Sequence, residues 1–294
     1  MNETKTGRNL PASDTQKAFL LGVGGQKCGT TWLNRYVMND PAGFTPIYEY
    51  HIWDAIYLSG SDKRPAAKPS LLELWKDKRS ARKRGYSRRN VVRWRMLSDI
   101  EHYFDHFSTI LSEPGCRIAA DITPAYAGLP TEAFARIKAG FEARSIPVKV
   151  VFLLRDPVDR CWSQIRMNKE KRQIPNTSLE QLLKERYARP ETAMRTRYDT
   201  TIKNLEAVFD KDSLHFEIFE NLFNKSGMDR LSSFLGLPPD YSRISVKENA
   251  RPTKQTVNQE LRREIAQHYE PVYRFCAERF PAVRELWPSF ELLR

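Results

Sequence analysis

Two short segments of this sequence carry residue types suited to binding phosphate groups. The first, residues 24–33, reads GGQKCGTTWL and directly follows an apolar run, FLLGV. Main-chain N–H groups at the start of a helix form an anion site together with the helix dipole. Lys27 adds a positive charge there, and Thr30 and Thr31 add hydroxyl donors. The spacing differs from the Walker A motif, in which the lysine directly follows the last glycine.

The second segment, residues 150–164, reads VVFLLRDPVDRCWSQ. Arg155 leaves the end of an apolar run, and Pro157 suits the first turn of a following helix. Ser163 then lies about two turns into that helix. An arginine fork and a serine hydroxyl can together hold a second phosphate group, whereas helix capping and ion pairing would be their purely structural use.

The elements that must position these residues follow from the hydrophobic pattern. Short apolar runs predict strands, and apolar residues spaced by three and four predict helices. We expect strands at 19–24, 117–121, 148–154 and 214–219, and helices at 30–38, 131–141, after Pro157 and at 258–280, the last kinked at Pro271. The run 148–154 is apolar almost throughout, as expected of a central parallel strand covered on both faces. The alternation predicts an α/β fold with a central parallel sheet flanked by helices, in which ligands bind at the carboxyl ends of the strands.

The chain has 294 residues, which allows one large α/β domain. We expect a flexible tail at 1–16 and a single domain over 17–294, with a basic, mostly helical insertion at about 60–111. There is no signal peptide and no apolar run long enough to span a bilayer, so the sequence favours a cytoplasmic protein. The four cysteines are far apart in the sequence and match neither a disulfide framework nor a zinc site.

Positive charge is concentrated in one segment. The net charge is +12, and residues 63–95 contain thirteen Lys and Arg against only Glu73 and Asp77. Such a field attracts a polyanionic substrate, a nucleic acid or an acidic membrane surface, while a merely solvated helix face is the plain alternative. His102 and His106 have helical metal-site spacing but no third ligand nearby in the sequence, so we interpret them as packing or surface residues.

Taken together, the two phosphate-type segments resemble the sulfotransferases that use 3′-phosphoadenosine 5′-phosphosulfate (PAPS). In that family GxxKxGTTWL binds the 5′-phosphosulfate and RDPxxRxxS binds the 3′-phosphate. The resemblance implies a three-layer, phosphate-loop fold and assigns no individual role to Cys28, which stands at a variable position. The cofactor-binding residues that it implies are Gly25, Gln26, Lys27, Cys28, Gly29, Thr30, Thr31, Trp32, Arg155 and Ser163.

A third segment, YEYHIWD at 48–54, resembles KExHFFD of the heparan-sulfate-type branch. The resemblance makes Glu49 the catalytic base, and the lysine that precedes it in the branch is replaced here by Tyr48. His51 is the competing base, because the unperturbed pKa of histidine lies closer to neutrality. A late basic loop closes over the cofactor in many members, which makes Arg251 a candidate contact.

The function implied is transfer of a sulfuryl group from PAPS to a hydroxyl or amine of a glycan, lipid or small-molecule acceptor. Lys27 would hold charge at the leaving oxygen, no metal is required, and peripheral contact with an anionic membrane is compatible with the basic segment. Two alternatives stay open: a phosphate-loop kinase or NTPase, and a non-enzymatic polyanion or nucleic-acid binder that uses residues 63–95. No named nucleic-acid module occurs, so no specific nucleic-acid partner is expected.

Overall fold

The computed structural model describes residues 17–58, 67–84, 88–172, 177–246 and 256–293, without the side chains of 80–84 and 172. The predicted tail at 1–16, part of the basic segment and Arg251 lie outside the described residues.

Five parallel strands form one sheet, which confirms the predicted α/β class. The strands are β1 (Ala18–Gly24), β2 (Gly43–Phe44), β3 (Ile118–Ile122), β4 (Val148–Leu154) and β5 (Leu214–Ile218). Their order across the sheet is β2-β3-β1-β4-β5. The middle strand is β1, and β4 lies between β1 and β5 with a parallel partner on each side, which confirms that it is an interior strand. The two-residue strand β2 has no apolar run of its own and was not predicted.

Helices cover both faces of the sheet. They are α1 (Thr30–Asn39), α2 (Trp53–Tyr57), α3 (Leu71–Arg84), α4 (Arg89–Ser98), α5 (Glu101–Ser112), α6 (Thr131–Glu142), α7 (Pro157–Arg172), α8 (Leu179–Arg186), α9 (Pro190–Ala193), α10 (Tyr198–Glu206), α11 (Lys225–Leu235), α12 (Gln259–His268), α13 (Glu270–Arg279) and α14 (Val283–Leu286), with short 3₁₀ turns at Pro124–Gly128, Lys211–Ser213, Tyr241–Ser245 and Phe290–Leu293. Side chains of β1 alternate between two apolar cores: Phe19 and Leu21 lie in the larger one and Leu20 in the smaller. This alternation follows from the two-residue period of a strand, and it shows that both faces are covered.

The C-terminal helix differs from the prediction. The single helix expected at 258–280 is two helices, α12 and α13, separated at Tyr269, where φ is −98° and ψ is 14°. Pro271 has no N–H to continue the ladder and restricts the residue before it. The chain therefore ends one helix at His268 and begins the next at Glu270, instead of bending a continuous helix.

The Arg-Asp-Pro turn after β4 connects the sheet to this C-terminal region. The buried Asp156 carboxylate accepts hydrogen bonds from the N–H of Val158 at the start of α7 (2.8 Å), from the Tyr273 hydroxyl (2.9 Å) and from the N–H of Ser289 (2.9 Å). Burial is the main cause that raises the pKa of Asp156. The aspartate of this motif therefore has a structural role: it caps α7 and fixes the direction in which Arg155 leaves the sheet.

Candidate active site

The phosphate loop, residues 24–31, connects β1 to α1 at the carboxyl edge of the sheet. Lys27 and Gly29 have φ of 69° and 96°, in the left-handed region that a tight turn before a helix requires. At Gly25 a Cβ atom would lie only 2.9 Å from Cys28 Sγ and 3.2 Å from the carbonyl oxygen of Leu153. The glycine thus lets the phosphate loop pack directly on the end of β4.

The side chains of the phosphate loop and the first turn of α1 divide into two groups. Cys28 and Trp32 are buried, and the Trp32 ring stacks on Tyr36 with a centroid distance of 5.1 Å. Burial raises the pKa of the Cys28 thiol to about 11, so that the thiol is neutral. These two residues can offer a ligand only their main chain, whereas Lys27 and Thr31 are partly exposed.

Arg155 brings the second segment to the phosphate loop. One of its terminal nitrogens, Nη1, donates to the carbonyl oxygen of Lys27 (3.2 Å), and the guanidinium carbon lies 4.7 Å from the centroid of the Phe219 ring. Its Nε is buried and has no hydrogen-bond partner among the described residues. Ser163 lies on α7, partly exposed. The structure therefore brings Arg155 to the phosphate loop, as the sequence predicts.

The base loop, residues 48–54, contains a chain of three hydrogen-bonded side chains. His51 Nε2 lies 3.0 Å from Glu49 Oε2, and His51 Nδ1 lies 2.8 Å from Asp54 Oδ2. The side chain of Glu49 is 24% exposed, against 7% for His51 and 3% for Asp54. Asp54 was not predicted from the sequence, although its i, i+3 spacing from His51 at the start of α2 could have indicated it.

Glu49 and His51 both have φ of 55°, a left-handed conformation that non-glycine residues rarely adopt. Hydrogen bonds from the turn after β3 hold the loop in this conformation. The Tyr126 hydroxyl accepts from the N–H of Ile52 (3.1 Å) and donates to the buried Asp121 carboxylate (2.8 Å). Burial raises the pKa of Asp121 to about 6, and hydrogen bonds to its carboxylate oppose the rise.

Helix α4 also holds the base loop, through hydrogen bonds to its main chain. Buried Arg93 donates from Nε to the carbonyl oxygen of Tyr50 (2.6 Å) and from Nη2 to that of His51 (2.9 Å). Arg89 donates to the carbonyl oxygen of Glu49. Arg93 is therefore engaged within the protein, which limits the use of the basic segment as a uniform polyanion-binding face, whereas Arg89 is exposed and its partner is a neutral carbonyl.

The two predicted histidines have separate roles. His106 Nε2 lies 2.9 Å from the Tyr50 hydroxyl, and burial lowers the pKa of His106 to about 4. His102 is exposed beside Asp99. This confirms the interpretation of packing and surface residues. No group of side chains suited to a metal ion occurs within the described ranges.

A hydrogen bond connects the phosphate loop to the base loop. The hydroxyl groups of Thr31 and Tyr48 form a hydrogen bond of 2.7 Å. Tyr48 thus occupies the place of the lysine in the resembled motif and uses its hydroxyl to join the two loops. Near Arg155, a further carboxyl group was not anticipated: Oε2 of Glu220 is buried and unpaired within the described part of the chain, and burial raises the pKa of Glu220 to about 7.

Comparison with known proteins identifies the class to which this arrangement belongs. A family model described as "Sulfotransferase domain" matches residues 17–276, so the chain belongs to the sulfotransferase family. A sulfotransferase from Alicyclobacillus acidocaldarius superposes with a TM-score of 0.58 at 18% identity, covering 89% of this chain and 95% of that one. At this identity the likeness concerns the fold alone.

Two further structures match less closely. The sulfotransferase domain of the curacin biosynthetic pathway aligns at 16% identity with a TM-score of 0.46, over 87% of this chain and 97% of that one. The sulfotransferase domain of the Synechococcus PCC 7002 olefin synthase aligns at 15% identity with a TM-score of 0.45, over 84% and 85% of the two chains. No curated protein matches the sequence. None of the helices in the described ranges has the length and apolar character needed to cross a membrane.

Proposed function

We propose that this chain transfers the sulfuryl group of PAPS to an acceptor hydroxyl. The observation that carries the proposal is the hydrogen bond between Thr31 and Tyr48, because it joins the phosphate loop to the base loop. One loop is suited to an anionic donor and the other to accepting a proton. In-line group transfer needs these two capacities side by side, since positioning and proton removal supply much of its rate.

The residues present fit a donor with two separate phosphate positions. Arg155 gives one of them a charged donor, since its buried Nε has no partner in the part of the chain that the structure describes, and an arginine fork is a strong phosphate ligand. The first N–H groups of α1 have no acceptor within the helix, and its first turn contains no acidic residue. We assign the 5′-phosphosulfate to the phosphate loop and the 3′-phosphate to Arg155 and Ser163.

When bound, PAPS supplies a sulfuryl group on a good leaving group. Lys27 stands at the turn of the phosphate loop, where its ammonium group would neutralise charge on the bridging oxygen. Main-chain N–H groups of Gly29 to Trp32 would orient the phosphosulfate. The contribution of Cys28 and Trp32 is limited to their main chain, because both side chains are buried.

Glu49 is the member of the three-residue chain that an acceptor can reach, because its side chain is the most exposed. We therefore assign it the removal of the acceptor proton. Asp54 fixes the imidazole of His51 through Nδ1, and Nε2 faces the Glu49 carboxylate. His51 can then stabilise the glutamate in either protonation state, as histidine does between two carboxylates.

A hydroxylated acceptor is the chemistry that the family implies. Arg89, exposed beside Glu49, favours an acceptor that carries an anionic group near the reacting hydroxyl. An acidic saccharide or an anionic lipid would meet this requirement, and a neutral phenol would not use it.

The test is transfer from ³⁵S-labelled PAPS to a panel of acceptors in the presence of EDTA: a phenol, a neutral saccharide, an acidic saccharide and a hydroxylated lipid. We expect labelled product and equimolar 3′-phosphoadenosine 5′-phosphate (PAP) with at least one acceptor, and loss of both with Glu49→Gln. Glu132→Gln changes an exposed carboxylate of α6 and serves as the matched control. Protein that binds PAP but forms no product with any acceptor class would contradict the proposal.

A further inference from the structure

Helix α3 presents three large apolar side chains to solvent. Leu71 is 87% exposed, and Leu72 and Trp75 are each 57% exposed. Among the described residues only eight large apolar side chains are exposed, and three of them stand on this one helix. Scattered exposed apolar residues need no explanation, but a cluster on one face marks an interaction surface.

The outward orientation of this face is fixed by the structure. Ser70 and Glu73 form a reciprocal capping box: the Ser70 hydroxyl accepts from the N–H of Glu73 (3.2 Å), and Glu73 accepts from the N–H of Ser70 (2.8 Å). On the opposite side Asp77 is 2% exposed and accepts from the N–H of Arg88 (2.8 Å). The helix thus turns a carboxylate inward and Leu71, Leu72 and Trp75 outward, the reverse of an ordinary amphipathic surface helix.

The charges that accompany the apolar side chains all have one sign. At about 100° per residue, Leu71, Trp75 and Leu72 lie within one arc of the helix, with Lys78 on one edge and Lys76 on the other. Arg79 lies within the same arc, and its guanidinium carbon is 5.6 Å from the centroid of the Trp75 ring. Both acidic groups of the helix, Glu73 and Asp77, are engaged in the hydrogen bonds described above.

We propose that this face of α3, formed by Leu71, Leu72, Trp75, Lys76, Lys78 and Arg79, docks on an anionic lipid bilayer. Helices that lie in the membrane interface typically carry lysine and arginine beside an apolar face of leucine and tryptophan. The cations meet anionic headgroups, and tryptophan is favoured at the boundary between headgroups and acyl chains. Charge complementarity selects this occupant, because a protein groove that accepted the leucines would also need a ring of carboxylates.

This surface is independent of the proposed function. None of its six residues belongs to the phosphate loop or the base loop. Helix α3 is nevertheless joined to the start of α4 through Asp77, which accepts from the N–H of Arg88, and α4 in turn contacts the base loop. Docking would therefore place the bilayer against the same helical region that holds Glu49 in position.

The test is co-sedimentation of the full chain with vesicles of phosphatidylcholine alone and with about 30 mol % phosphatidylglycerol. We expect at least about tenfold stronger partition to the anionic vesicles, reduced about tenfold by Lys76→Gln/Lys78→Gln/Arg79→Gln or by high salt. Leu71→Ser/Leu72→Ser/Trp75→Ser should abolish it. The matched control is Met38→Ser/Phe44→Ser, which removes two exposed apolar side chains elsewhere and should leave partition unchanged.

Three outcomes would overturn the proposal: no partition to anionic vesicles, equal partition to neutral ones, or equal loss in the Met38/Phe44 control. Sedimentation velocity adds a fourth. If the wild type self-associates without lipid and the Leu71/Leu72/Trp75 variant does not, a second copy of the chain is the occupant. PAP binding and thermal melting of each variant verify that the chain is folded, so that a loss of docking is distinguishable from a loss of structure.

Discussion

The phosphate loop and the base loop are joined by the hydrogen bond between Thr31 and Tyr48, but they are held in different ways. The phosphate loop lies between β1 and α1, and its position follows from the strand, the glycines and the helix start. The base loop lies outside the sheet, and side chains from α4, α5, β3 and the turn after β3 hold it. Glu49 and His51 adopt unfavourable left-handed conformations within it. Such strain persists only where surrounding contacts impose it.

This difference implies that binding and transfer can be separated by mutation. Changes in the phosphate loop should weaken nucleotide binding, because we assign the donor to this loop. Changes in the base loop or its supports should reduce transfer and leave nucleotide affinity nearly unchanged.

The largest separation is expected for Glu49→Gln. Removal of a general base costs about 10²- to 10⁴-fold in rate, while the shape of the side chain and the Lys27 loop are retained. We expect transfer from PAPS to fall by that factor and the Kd for PAP to change by less than about twofold. A parallel loss of PAP affinity would show that Glu49 supports the donor site instead.

Asp54→Asn should give a smaller effect, because Asp54 acts through His51. The amide lacks the negative charge and can donate as well as accept, so it no longer fixes the tautomer and position of the imidazole, and misplacement of a catalytic group by about 1 Å can cost about 10²-fold. We expect kcat to fall by about 10- to 100-fold with the Kd for PAP unchanged. Asp212→Asn, an exposed carboxylate beyond the site, should behave as the wild type; full activity of Asp54→Asn would show that the orientation of His51 does not limit the rate.

Arg93→Met tests the support from α4. The substitution keeps most of the apolar stem and removes the donors to the carbonyl oxygens of Tyr50 and His51. Because hydrogen bonds to a charged group contribute about 1.5–3 kcal/mol, urea unfolding should show a loss of about that size. Arg95→Met, on the exposed side of the same helix, should change stability by less than about 0.5 kcal/mol. Equal stability of the two variants would show that α4 does not hold the base loop.

The smallest expected effect is a pH dependence of PAP binding through Glu220. Burial raises the pKa of Glu220 to about 7, and Arg155 opposes the rise. A bound phosphate would neutralise the positive charge of Arg155, which now lowers the pKa of Glu220. The pKa of Glu220 would then rise further, so binding should be coupled to proton uptake. Affinity should then fall by about three- to tenfold as pH rises from about 6 to 8.5. Glu220→Gln should lose this pH dependence of PAP affinity, whereas the control Glu132→Gln should keep it. The phosphate ionisation of PAP itself is common to all three proteins and cancels in the comparison.

The same contrast explains what could be predicted from the sequence. The strands at the site and the turns after β1 and β4 were predictable because local patterns determine them, and the sheet brought Arg155 to Lys27 as parallel strand ends must. The support of the base loop was not predictable. Arg93 belongs to a segment that looks like a solvated basic face, and only tertiary contacts turn it toward Tyr50 and His51. The roles of Asp54 and Glu220 likewise depend on neighbours that no local pattern shows.

The most direct test of the central proposal is calorimetric titration of metal-free protein with PAP, 5′-AMP and ATP. We expect PAP to bind at least about tenfold more tightly than 5′-AMP, because Arg155 and Ser163 would hold the 3′-phosphate. Arg155→Ala should remove this preference, and Arg144→Ala, a surface arginine paired with Glu101 and Asp105, should keep it. Binding of ATP as tight as that of PAP, or an unchanged preference in Arg155→Ala, would contradict the assignment of the donor site.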